Sequence, residues 1–336
     1  MDKGQFSQVN TSISIKEKDM ISAEQFQKIL INPSKEALAN LLQEKGYDLK
    51  AADLDDLNKV EEELMSKLVK CYQWAYQDSP SCDVVDFVSL PYLYHNVKVL
   101  LKAKASHKEL SHLLIPIGKY PLSYLEHLVR SLSSDYFLPD FVDEVVSIWQ
   151  DYLNYQDYRV LEVGCDLAYF KHLVKLAEQL NDDKIRQAVD LIIEFYNFIS
   201  VKRAKLLQKN QGFIKQILFD QGRLTLGDYE RLADGIAIDS WFNQLNPDAF
   251  SLSIRESQDK LASGKMSLVD TEKFLDQLLF QLVASGQFET SGPYPLLGFL
   301  LGKEFEIKNL RLLISAIAND LPMDLVKERM RPIYGQ

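Results

Sequence analysis

The chain has 336 residues, with 38 Lys and Arg against 48 Asp and Glu, a formal net charge of −10. Apolar residues at 46% can fill a sizeable core, which excludes an intrinsically disordered chain; the acidic balance, with no basic run to offset it, excludes a dedicated nucleic-acid binder. With 14 Gly and 11 Pro the composition leans towards helix rather than an open α/β sheet rich in tight turns.

The N-terminus is polar and carries no apolar leader, and no stretch reaches the ~18 apolar residues that span a bilayer. A cytoplasmic protein without transmembrane insertion is expected. Ser22 reads as an N-cap before Ala23 to Gln27, and Thr225 as an N-cap before the helical pattern that follows it. The acidic run Asp48, Asp53, Asp55, Asp56, Glu61, Glu62 and Glu63 reads as a solvated helical face. Val84 to Tyr94 is rich in β-formers but lacks a clean alternation, and is expected to be a loop or short helix. Helical stripes follow at Leu167, Phe170, Leu173, Val174 and Ala177, at Phe274, Leu278, Leu279, Leu282 and Val283, and at Leu310, Leu313, Ile314 and Ile317. Prolines mark breaks between helices at positions 33, 80, 91, 116, 121, 139, 247, 293, 295, 322 and 332. The fold class expected is all-α.

The chain also resembles itself. Gly118-Lys119-Tyr120-Pro121-Leu122 and Gly222-Arg223-Leu224-Thr225-Leu226 precede helical patterns at an offset of 104 residues, and Asp19-Met20-Ile21-Ser22-Ala23 opens a further copy. Asn96-Val97-Lys98 and Ser200-Val201-Lys202 share that offset, and Asn309-Leu310-Arg311 is the last copy. Three helical units are therefore expected, at residues 1–117, 118–221 and 222–336. Stacked side by side, they would complete one another's core and could close into a ring or cone. Asn96, Lys98, Lys202, Asn309 and Arg311 are the candidate repeated structural or interface positions.

Chemistry is sparse. Cys71, Cys82 and Cys165 have no metal-ligand spacing, the five histidines make no HExxH, and no phosphate loop is present. Val160-Leu161-Glu162-Val163-Gly164-Cys165-Asp166 looks like the opening motif of an S-adenosylmethionine-dependent methyltransferase. It has a single glycine where that motif needs several for close backbone approach. No catalytic, cofactor or metal site and no small-molecule substrate are expected. A free-standing helical scaffold is the alternative to a role in a larger assembly.

The stretch Gly302-Lys303-Glu304-Phe305-Glu306-Ile307-Lys308-Asn309-Leu310-Arg311, continuing through Pro322 to Met323 and Arg331, resembles the closing motif of the C subunit of bacterial and archaeal V-type ATPases. Tyr94-His95-Asn96-Val97-Lys98 and the opening from Phe6 to Ile21-Ser22 are similar too, while Ser200 stands where the family pattern has Asn. The resemblance implies a funnel of three related all-helical units that hydrolyses nothing. It implies a rotor adaptor held peripherally at the membrane, with the central-stalk subunits and the membrane proteolipid ring as partners. Tyr294 to Leu301 is one candidate ring-facing segment, with buried packing before the terminal motif as its other reading.

Overall fold

The computed structural model describes residues 3–220, 224–236, 240–241, 252–263, 266–284, 286 and 290–335. Gly222, Arg223 and Pro247, which figure in the repeat and the proline pattern, lie outside them. The described residues are helical, with no strand among them. None of their helices is long and apolar enough to cross a membrane. The chain folds as two compact units, Met1–Ser81 with Asp239–Gln336, and Cys82–Ile238.

The first unit begins with α1 (Ser7–Lys16), α2 (Ala23–Ile31), α3 (Lys35–Glu44) and α4 (Leu57–Asp78). Ser22 caps α2 as its sequence indicates. Its hydroxyl accepts from the Gln25 N–H at 3.2 Å, and the Gln25 side chain accepts from the Ser22 N–H at 3.0 Å. The acidic run lies mostly exposed, and its carboxylates have local uses. Asp56 caps α4, Asp53 pairs with Lys59 at 2.7 Å and Asp55 with Lys35 at 2.6 Å.

The second unit holds α5 (Cys82–Ser106), α6 (Leu122–Ser131), α7 (Pro139–Tyr155), α8 (Tyr158–Leu180), α9 (Asp183–Leu206), α10 (Gln211–Ile217) and α11 (Leu226–Ala233). Here Val84 to Tyr94 corrects the sequence expectation: it is the first half of a 25-residue helix, and Pro91 lies inside it without breaking it. Val84, Val85, Phe87, Val88, Leu90 and Tyr94 are all buried, so the segment is apolar on several sides and shows no helical stripe. Burial outweighs the β propensity and the hydrogen bond that proline cannot donate. The methyltransferase-like segment lies within α8, with Leu161 and Cys165 fully buried. Gly164 serves helix packing, since a Cβ there would stand 3.0 Å from Ile148 Cγ1 on α7. Thr225 caps α11 through a reciprocal pair with Asp228.

The chain then returns to the first unit with α12 (Leu252–Ala262), α13 (Leu268–Ala284), α14 (Tyr294–Ala318) and α15 (Met323–Arg329). Helix α14 is the axis of this unit, packed against α1, α3, α4 and α13. Tyr294, Leu296, Leu297, Phe299 and Leu300 are at most 4% exposed, so of the two readings of Tyr294 to Leu301 the structure has buried packing before the terminal motif, not an outward-facing segment. Gly302 lets the C-terminal tail close on this helix, since a Cβ there would stand 2.6 Å from the Tyr334 ring.

Candidate functional site

The same contact occurs three times in the chain. Asn96 on α5 donates through Nδ2 to the Ile115 carbonyl at 2.7 Å and accepts at Oδ1 from the Ile115 N–H at 2.9 Å, across 19 residues. Asn309 on α14 does the same to Arg331, at 3.1 and 2.7 Å across 22 residues. Asn197 on α9 does it to Phe219, at 2.9 and 3.0 Å, again across 22 residues. Each amide replaces a piece of backbone ladder. It satisfies the backbone N–H and carbonyl of one residue beyond the helix, and so ties the outgoing loop to the helix. All three Asn side chains are 2% exposed or less. The Asn197 amide also donates to the Tyr229 hydroxyl at 3.3 Å, which links it to the start of α11.

Sequence reasoning missed Asn197, because Ser200-Val201-Lys202 shares Val-Lys with Asn96-Val97-Lys98 at the offset of 104 residues. The contact instead falls three residues earlier on α9. A glutamate three residues before the amide, Glu194 before Asn197 and Glu306 before Asn309, was the available signal.

Cations follow two of the three amides directly. Lys98 pairs with Asp166, joining α5 to α8. Arg311 grips Glu61 on α4 with two bonds, of 2.7 and 2.6 Å. Two residues after Asn197 stands Ile199, and Lys202 lies one turn further on, its ammonium 5.8 Å from the centre of the Phe198 ring. Arg311, on the long apolar helix α14, suggests a buried paired cation; it is instead 39% exposed and Glu61 49%. Solvent therefore screens the pair, and Arg311→Ala is expected to cost at most ~1 kcal/mol, read as a small shift in denaturant midpoint.

The buried charge of the first unit lies elsewhere on α14. Glu306, 3% exposed, accepts from the Lys303 ammonium at 2.5 Å, the Tyr47 hydroxyl at 2.7 Å and the Ile21 N–H at 2.6 Å. Lys303 also donates to Tyr47 Oη at 3.0 Å and sits 5.1 Å from the centre of its ring. Burial, and then the Glu306 carboxylate, raise the Tyr47 phenol well above its ordinary value, so it stays a donor.

Among the described residues the histidines and cysteines bond or pack locally. His95 bonds the Leu113 carbonyl at 2.9 Å, and His172 meets the Tyr94 hydroxyl at 3.3 Å. Burial holds the His172 imidazole below its ordinary value and pushes the Cys71 and Cys165 thiols up to about 12. Among the described residues, no three His, Cys, Asp or Glu side chains are grouped to hold a metal ion.

The family model for the ATP synthase (C/AC39) subunit matches residues 9–329. The chain is 27% identical over 333 residues to the C subunit of the V-type sodium ATPase of Enterococcus hirae, covering 98% of this chain and 99% of that protein. It is 24% identical over 351 residues to the C subunit of the A-type ATP synthase of Methanocaldococcus jannaschii, covering 97% and 86%. The corresponding A-type ATP synthase protein of Thermococcus kodakarensis is 21% identical over 343 residues, covering 96% and 89%. The helical architecture and the near end-to-end similarity agree: the chain belongs to the C subunit family of V-type and A-type ATPases.

Proposed function

We propose that this chain is a non-catalytic rotor adaptor, linking the central stalk of a V-type ATPase to the membrane proteolipid ring and coupling ATP hydrolysis or synthesis to ion transport. The observation that carries this reading is similarity along almost the full length of relatives named as C subunits of ion-translocating ATPases. An adaptor needs rigid faces rather than reacting groups, and close-packed helices tied at their loops transmit strain well. In this reading the chain comprises three related units arranged as a funnel, at residues 1–117, 118–221 and 222–336. Asn96 and Asn309, with Asn197 between them, are structural positions repeated once per unit, and Lys98, Lys202 and Arg311 stiffen the helices around them. The protein is cytoplasmic and attaches to the membrane only through its partners.

Ion transport in reconstituted membranes, measured with and without this protein, tests the proposal. The expected result is loss of ATP-driven transport on its omission, while the detached catalytic head continues to hydrolyse ATP. Coupled transport in its absence, or loss of hydrolysis in the isolated head, would defeat it.

A further inference from the structure

One cavity in the first unit runs against the charge of the whole chain. It is an open cavity of about 300 Å³ lined by Lys16, Lys45, Lys67, Lys70 and Lys303, with Asp19 and Glu44 in the lining and Glu63 and Glu306 beside Lys67 and Lys303 in opposition. Most of these ammonium groups are oriented by neutral partners. Lys45 donates to the Lys18 carbonyl at 2.9 Å, Lys67 donates to the Gly46 carbonyl, and Lys16 lies 4.5 Å from the centre of the Trp74 ring. Glu63 stands 3.8 Å from Lys67, at the edge of ion-pair range. Lys70 makes no hydrogen bond or ion pair with the described residues. Lys303 alone is fully engaged by a carboxylate, Glu306.

A carbonyl or a ring fixes an ammonium without cancelling its charge, and an ammonium has three donors, so one such contact leaves others free. The lining also includes Met20, Phe299 and Cys71, which bring low-dielectric walls around those charges. The Cys71 thiol, pushed up to about 12 by burial, stays neutral and adds no opposing charge. A concave site of this size matches a small molecule rather than a polypeptide segment.

We propose that this cavity binds a small free phosphorylated anion, held by Lys16, Lys45, Lys67 and Lys70 over the buried Lys303. Binding alone is assigned to the site, and no reaction. The assignment stands apart from the rotor reading.

Pyrophosphate titrated into the full chain at low salt, followed by calorimetry, is the test. Saturable one-to-one binding that weakens as sodium chloride rises is expected. The Lys16→Gln/Lys70→Gln variant should bind about tenfold more weakly, as the loss of two charge-assisted contacts implies. Its thermal unfolding without ligand should match that of the parent, and Lys70→Glu, at an exposed position without a protein partner, gives the same comparison on its own. Vesicles of phosphatidylglycerol should not displace the pyrophosphate. No saturable binding, parental affinity in the lysine variants, or displacement by the vesicles would each overturn the proposal.

Discussion

Replacing Asn197 by Ala is expected to lower the stability of the chain by about 2–4 kcal/mol, the largest effect among the three repeated amides. The loss is not simply that of two hydrogen bonds. The Phe219 N–H and carbonyl lose their partner inside the core, where Phe219 is 4% exposed, and each stranded group costs about 1–3 kcal/mol. At Asn96 and Asn309 the clamped residues, Ile115 and Arg331, are only half-buried. Water can recover part of the loss there, so Asn96→Ala and Asn309→Ala should cost less. Urea midpoints at unchanged slope give the ordering. Asn197→Asp separates shape from chemistry: a carboxylate of the same size cannot donate to the Phe219 carbonyl, so it should fare no better than Ala. A midpoint for either Asn197 variant within experimental error of the parent would refute the account.

Lys303→Met should be at least as damaging, by about 3–5 kcal/mol, because it strands the Glu306 carboxylate among groups that cannot neutralise it. Tyr47 and Ile21 still donate to that carboxylate, but neither carries charge. Glu306→Leu is the mirror case and leaves a buried ammonium. The double variant Lys303→Met/Glu306→Leu removes both charges, and should recover much of what either single variant loses. The decisive quantity is the coupling in that cycle. If the two single losses simply add in the double variant, the pair is not the buried unit that the distances describe.

The sequence made the helices legible where one face was apolar. Ser22 and Thr225 announce their caps, and the stripes through Phe170, Phe274 and Leu310 are core faces in the fold. Reading fails where a helix has no polar side. Val84 to Leu90 contributes to α5 on several faces at once, so no period of 3.6 residues stands out. The site is harder for a different reason. An Asn that bonds backbone is recognised by what it touches, about 20 residues on; the glutamate three residues before Asn197 and Asn309 is absent at Asn96, where Leu93 stands, and this is why Ser200 passes for the counterpart of Asn96. The Lys303–Glu306 pair is concealed by its spacing, since Lys and Glu three apart on a helix normally form an exposed surface pair. Only the fold, which brings Tyr47 and Ile21 over them, reveals their burial.

The divided first unit bears on how the chain is made. The Ile21 N–H waits for a carboxylate 285 residues downstream, a delay of about 15–60 s at ordinary rates of synthesis. The second unit is continuous in sequence, so its helices can pack as they emerge. The opening segment cannot do the same: Ile21 and Tyr47, both buried in the folded chain, have no Glu306 or α14 to cover them until residues 294–318 have been made. A nascent chain halted before Tyr294 would thus hold one finished body tethered to an unfinished one. Such an interval, with apolar surface still uncovered, is when a holding chaperone has most to do.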